Sequence, residues 1–298
     1  MLISRKLKDF IAGKLMLSAA VVSSLIVFLI AFVLLQKSIP ILQGHSLGEL
    51  LFSSSWHPWS NEFGFFPFIV GTLAVTALAM VLSIPPSLLM SVYLAEYASA
   101  RVRRLVKPMI DLLAGIPSVV YGLWGVMLVV PLIGNYVAPL FGVETAGYTV
   151  LAGGIVLAIM VFPIIISISE DVIRSVPHDV REASMALGAT KWQTVKHVVM
   201  RGALPGVVAA IILGFGRAFG ETMAVLMVVG NVPAVPSSIF SPAYPIPALI
   251  ANNYGEMMSI PMYDSALMFA ALLLLFVVLL PSIAAEIILL RMKRGYAI

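Results

Sequence analysis

The chain contains no cysteine and little charge. The first absence excludes disulfides, thiolate metal sites and thiol nucleophiles, and it leaves the redox compartment open. The second excludes an ordinary soluble domain: only 11% of the 298 residues are charged, against about 25% in soluble proteins. There is no Gly-Lys-Ser/Thr. Gly214-Phe215-Gly216 follows no strand and is therefore not a nucleotide loop. Ser/His pairs, twin aspartates and His-Glu-x-x-His are missing at membrane depth, which opposes an intramembrane enzyme. The four histidines, His45, His57, His178 and His197, are scattered over both sides of the membrane and make no metal site. No cofactor is expected.

What remains is apolar. Hydrophobic residues make up 61% of the chain, and the mean hydropathy is +1.06. A bilayer span needs roughly 20 apolar residues. Six runs qualify: Leu15–Leu35, Pro67–Ala95, Leu112–Ile133, Tyr148–Ser169, Leu204–Val229 and Ser265–Ala285. The fold class is therefore all-α, a polytopic membrane protein with six transmembrane helices. With the N-terminus in the cytoplasm, sixteen of the eighteen Lys and Arg residues fall on the cytoplasmic side. Lys37 lies outside and Arg217 lies within the membrane. The positive-inside rule then places both termini in the cytoplasm. It also explains a pI of about 9.3 without nucleic acid as a partner. The first run is longer than the apolar core of a signal peptide, and no small-residue cleavage site follows it, so it reads as a retained signal anchor. Residues 1–66 are expected to form that anchor and an external loop, and residues 67–298 the membrane core.

Between the spans, Trp56 and Trp59 read as interfacial anchors in the external loop. The external stretch Gly230–Asp264 carries six prolines and cannot be one regular helix. It reads either as a re-entrant or surface segment that meets a partner, or as a stiff connector. Pro85 and Pro86 predict a kink or a break in span two. Glu96, Asp111 and Glu286 at the cytoplasmic ends of spans are expected to be solvated or snorkel-paired. The longest cytoplasmic segment, residues 170–202, reads as two short helices broken at Gly188. Asp179 is the expected N-cap of the first, with Glu182 three residues on. Such an element points to docking of a soluble protein, with an amphipathic segment lying on lipid headgroups as the alternative.

The most informative residues are Arg217 and Glu221, inside the fifth apolar run. A charge at the centre of a spanning helix costs ~2.5–3.5 kcal/mol on insertion scales. It persists where it faces protein, water or a charged cargo. At a spacing of four residues both side chains share one helix face and can pair. Two readings follow: a solute path with a fixed cation, or a permanent ion pair that pins span five to a neighbour. Gly216 and Gly220, and similarly Gly206 and Ala210, have the spacing that lets another helix approach closely. That helix is expected to come from a second subunit. Ser118, Tyr121, Thr222 and Asn231 are candidate polar contacts along the path, with ordinary helix–helix hydrogen bonding as the alternative for each.

Three stretches carry a resemblance. Glu182-Ala183-Ser184 followed by Gly188 resembles the EAA-x3-G loop of ABC importer permeases. The run Leu112 to Gly125, with Gly115-Ile116-Pro117-Ser118 and Tyr121-Gly122-Leu123-Trp124, resembles the third helix of phosphate-specific permeases of the PstC type. Gly214 to Val225 is similar to the fifth helix of the same family, and its Met223-Ala224-Val225 ending favours PstC over the sister PstA type. Ser184 replaces the family's second alanine, and the proline expected near Arg201 is missing, with Leu204-Pro205 four residues later.

The resemblance implies a type I ABC importer permease bundle in the inner membrane. It implies Glu182, Ala183, Ser184 and Gly188 as the coupling element for a PstB-type ATPase dimer. The implied partners are a PstA-type permease, a PstS-type phosphate-binding protein, phosphate itself and the lipid bilayer. Arg217 and Glu221 match residues associated with transport, and the chain would have no ATPase site of its own. The nearest rivals are a permease for another oxyanion such as sulfate or molybdate, and a passive anion channel.

Overall fold

The computed structural model describes residues 2–256 and 260–295. The final residues of the C-terminal tail, 296–298, lie outside the described residues. Six helices are long and apolar enough to cross a membrane. They are α1 (Leu2–Gly44), α3 (Phe66–Tyr97), α5 (Ser118–Leu140), α6 (Val150–Ser175), α8 (Lys191–Gly220) and α11 (Tyr263–Gly295). Between them lie α2 (Leu47–Phe52), a two-stranded hairpin of β1 (Trp56–His57) and β2 (Glu62–Phe63), α4 (Ala100–Gly115), α7 (His178–Ala186), α9 (Met223–Val228) and α10 (Ile246–Asn253). Loops with α4 and α7 gather at one end of the bundle, called here the basic end.

The centre is α3 against α6, the broadest helix contact among the described residues. Val75, Ala79, Leu157, Val161 and Ile165 form its seam, joined by Ala218 and Val225. Helix α8 closes on α6 through glycines. A Cβ on Gly206 would lie 2.3 Å from a Val172 methyl, and one on Gly214 would lie 2.9 Å from Ile165. The close neighbour of Gly206 is thus α6 of the same chain, where a second subunit was expected. A small residue there lets two helices of one chain touch, and the sequence pattern does not say whose helix it touches.

Helix α1 lies along α11 and is fastened near its end. Ser265 Oγ accepts the Ile41 N–H at 3.1 Å and donates to the Lys37 carbonyl at 2.9 Å. The apolar stretch from Leu15 to Ile30 is otherwise exposed. Away from the basic end, an aromatic cluster caps the bundle. Trp56 is partly buried and packs edge-on against Phe63, Phe65 and Phe68, bracing this cap. Trp59 is 81% exposed.

The proline-rich stretch turns back into the bundle, and residues 243–249 are buried. Irregular backbone survives there because its polar groups are paired. Ile246 N–H donates to Thr72 Oγ1 at 2.9 Å, and Ala243 N–H to the Val229 carbonyl. The Ser241 and Ile239 carbonyls accept from Val150 and Leu151, two of the N–H groups that the start of α6 leaves free. We predict that Thr72→Val, which keeps the shape and strands the Ile246 N–H, destabilises the fold by about 1–3 kcal/mol. Thermal unfolding of the purified protein checks it, and an unchanged midpoint contradicts it.

Two expected boundaries move, and one expected break is absent. Leu112 to Gly115 belong to α4, an amphipathic helix at the basic end. Ile116 is extended because it precedes Pro117, so span three starts at Ser118. Pro85 and Pro86 do not break α3. Span five does not run through to Val229, because α8 ends at Gly220 and α9 begins at Met223.

Candidate translocation site and coupling element

The break after Gly220 decides the geometry of the central pair. Glu221 leaves the helix with an extended backbone, φ −73° and ψ 125°. Its Oε1 accepts the Ala224 N–H at 3.3 Å, in the first turn of α9. The expected Arg217–Glu221 pair is therefore absent: no ion pair includes either residue among the described residues. The four-residue spacing holds only while the helix continues, and the carboxylate caps the next helix instead. Glu221 faces inward, lining with Thr72, Thr76, Phe219, Pro245 and Pro247 a cavity of about 10 Å³, at the lower limit for one water.

Arg217 points the other way. Leu213, Gly216, Arg217 and Gly220 follow one another on a single exposed face of α8. A Cβ on Gly216 or Gly220 would meet nothing within 4 Å. The permanent pin to a neighbouring helix of this chain is thus excluded among the described residues. The Tyr121 hydroxyl of α5 is turned toward the end of α4. That hydroxyl itself donates to the Leu113 carbonyl at 2.8 Å and so fastens the end of α4. Ser118 is half-buried one turn before Tyr121. Thr222 stands in the break, its hydroxyl 3.4 Å from the Gly220 carbonyl. Asn231 lies past the end of α9 at φ 53°, and its amide donates back to the Leu226 carbonyl at 2.8 Å. Tyr121 packs near Ala224 at the start of α9 and Thr222 stands in the break before it, while the Asn231 amide is committed to a local turn.

At the basic end, α7 starts at His178 with Pro177 as its N-cap, so Asp179 is a first-turn residue and not the cap. Proline fixes the φ that a helix start needs. Glu182 is exposed and lies 3.0 Å from His178 Nδ1. Ala183 is exposed, and Ser184 Oγ shares a hydrogen bond of 2.9 Å with Thr194 Oγ1. Gly188 turns the chain at φ +86°, a left-handed value that favours glycine. The second helix begins at Lys191 behind a Thr190–Gln193 capping box and runs on into α8. Val180, Met185 and Leu187 are exposed, Leu187 by 90%. These apolar side chains and Glu182 form an exposed knob beside the Gly188 turn.

Charges behind this knob are paired, and Glu96 takes the paired of its two expected states. Glu96 is paired with Arg181 at 2.8 Å. Glu170, 1% exposed, sits 3.5 Å from Arg103 and 3.6 Å from Arg174. Arg103 also donates to the Leu94 and Ala95 carbonyls. Lys107 reaches Asp171 at 2.9 Å, and this hydrogen bond raises its pKa above the ordinary lysine value. Sequence reading assigned these arginines to topology alone. The only signal for the pairing is that Glu96, Glu170 and Asp171 abut spans whose ends lie beside basic loops.

A six-span bundle with an exposed helix-turn knob between its fourth and fifth spans is the architecture of an ABC importer permease. The chain belongs to the family of binding-protein-dependent transport system inner membrane components, whose profile matches residues 87–294. It is 38% identical over 267 residues to the phosphate transport system permease protein PstC of Xylella fastidiosa strain 9a5c, covering 85% of this chain and 81% of that one. It is 35% identical over 260 residues to PstC of Pasteurella multocida, covering 83% and 81%. Among solved structures, a bacterial ABC transporter that imports the acidic polysaccharide alginate aligns over 96% of this chain and 99% of its own, with a TM-score of 0.62 at 17% identity. That likeness speaks for the fold alone.

Proposed function

We propose that this chain is a permease subunit of an ATP-driven phosphate importer in the inner membrane. The observation that carries the site is Arg217, a cation on an open face of a membrane helix with no ion-pair partner among the described residues. The phosphate class comes from the PstC relatives. The basic end faces the cytoplasm, and a PstB-type ATPase dimer receives Glu182, Ala183, Ser184 and Gly188. A PstA-type permease closes the open Gly216–Gly220 face, and a PstS-type protein delivers phosphate from the other side.

Phosphate presents tetrahedral oxygens and one or two negative charges. Arg217 offers two parallel N–H donors to two of those oxygens and stays protonated when desolvated. Glu221, held on α9, does not compete for the guanidinium in this arrangement, so the anion finds it free. Thr222 and Tyr121 lie by the start of α9, with Ser118 a turn along α5 and Asn231 beyond it. ATP hydrolysis in the partner moves α7, and the bundle exposes Arg217 alternately to each side.

The test is uptake of labelled phosphate by the complex reconstituted with its ATPase and binding protein in vesicles. We expect uptake only with ATP inside the ATPase compartment, competed by phosphate and not by sulfate or molybdate. Equal competition by sulfate assigns a different oxyanion, and uptake without ATP contradicts a pump.

A further inference from the structure

Arg181 uses its guanidinium more fully than any other cation among the described residues. It stands in α7, immediately before Glu182. Its Nη2 donates to Glu96 Oε1 at 2.8 Å and its Nε to the same oxygen at 3.2 Å. Nη2 also donates to the Ile173 carbonyl at 2.8 Å, and Nη1 donates to the Val176 carbonyl. Glu96 lies in the last turn of α3. Ile173 and Val176 lie at the end of α6, where carbonyls have no helical partner. One side chain of α7 thus joins the ends of the two helices that form the centre of the bundle.

The joint is dry. The Arg181 side chain is 13% exposed and that of Glu96 10%. Charge-assisted hydrogen bonds shielded from water and salt hold geometry better than surface pairs, because breaking them strands a buried charge. Lysine could not replace the arginine, since a single ammonium cannot reach a carboxylate and two carbonyls in a fixed fork. Nothing in transport chemistry calls for these two residues, which lie at the basic end and away from the Arg217 junction. Their placement does serve the passage of movement from α7 into the spans. Val180, Met185 and Leu187 stay exposed while Arg181 is bonded to the ends of the spans.

We propose that Arg181 and Glu96 are positioning residues that make α7 move as one body with the ends of α3 and α6, so that displacement of α7 reaches the translocation site. The inference rests on the reading of α7 as the ATPase docking element. Without the joint, α7 still docks but slides against the spans, and hydrolysis proceeds without transport.

The experiment uses the reconstituted complex and compares Arg181→Gln, Glu96→Ala and Glu96→Gln with wild type. Phosphate taken up and ATP hydrolysed are measured in the same vesicles. In Arg181→Gln and Glu96→Ala the ATPase subunits still co-purify, hydrolysis stays within about twofold, and phosphate moved per ATP falls at least tenfold, the equivalent of losing one or more hydrogen bonds to a charged group. Glu96→Gln, which keeps the acceptor oxygen, retains most of the ratio, a split that a merely structural defect would not give. A ratio unchanged in Arg181→Gln overturns the proposal, and so does loss of the ATPase, which would make Arg181 a docking residue.

A second readout is independent of cargo. Because the chain lacks cysteine, spin labels can be placed at Asp179 and Leu89 without background. Their separation is expected to stay fixed on ATP binding in the wild type and to change in Arg181→Gln. A separation that changes equally in both overturns the joint, even if the transported anion is not phosphate. Absence of phosphate uptake by the wild type with this fixed separation intact would fault the phosphate assignment alone.

Discussion

Arg217→Gln is expected to abolish ATP-dependent phosphate uptake while leaving the complex assembled. Two charge-assisted hydrogen bonds to the anion, each about 1.5–3 kcal/mol, correspond to a loss on the order of a hundredfold or more. Arg217→Lys keeps the charge but not the fork, and its uptake should fall between the two. Arg217 sits on an exposed face without an ion-pair partner among the described residues, so neither change should shift the thermal midpoint by more than about 0.5 kcal/mol of stability. Uptake and unfolding measured on one preparation separate loss of cargo binding from loss of fold. Retained uptake in Arg217→Gln removes the cargo role.

Equally large is the effect expected of Glu182→Lys combined with Gly188→Val. The first change reverses the exposed acid on α7. The second forces a β-branched residue to φ +86°, which costs of order 1–3 kcal/mol and shifts the turn that presents Leu187. No neighbouring atom lies within 4 Å of a Cβ at Gly188, so strain and not collision is the cause. The ATPase subunits should no longer co-purify and uptake should fall to background, with the membrane bundle intact. Unchanged co-purification would remove α7 as the docking element.

These effects were unequally visible in the sequence. Length and apolarity alone identify six spans, because a bilayer imposes both. Arg217 stands out because a charge in an apolar run is costly. Gly188 and the acid at Glu182 stand out because a turn and an exposed helix face have local signatures.

What the pattern hides is non-local. Periodicity places Arg217 and Glu221 on one face, but it does not register that the Glu221 carboxylate bonds the Ala224 N–H and ends the helix at Gly220. Small-residue spacing marks both Gly206 and Gly216 as close-packing sites, yet Gly206 meets Val172 of the same chain and Gly216 meets open space. The packing of Trp56 against Phe63, Phe65 and Phe68 has no local signature either. The Arg181–Glu96 joint spans 85 positions, beyond the reach of any local rule.

The account stands on contact between the Arg217 guanidinium and the transported anion. The most direct measurement is the ³¹P–¹⁵N dipolar coupling between phosphate and arginine-labelled protein, in the complex trapped with phosphate inside the membrane. A coupling at hydrogen-bond contact distance, present in wild type and lost in Arg217→Gln, is the predicted result. Bound phosphate whose arginine coupling survives in Arg217→Gln, or is missing from the wild type, would contradict it.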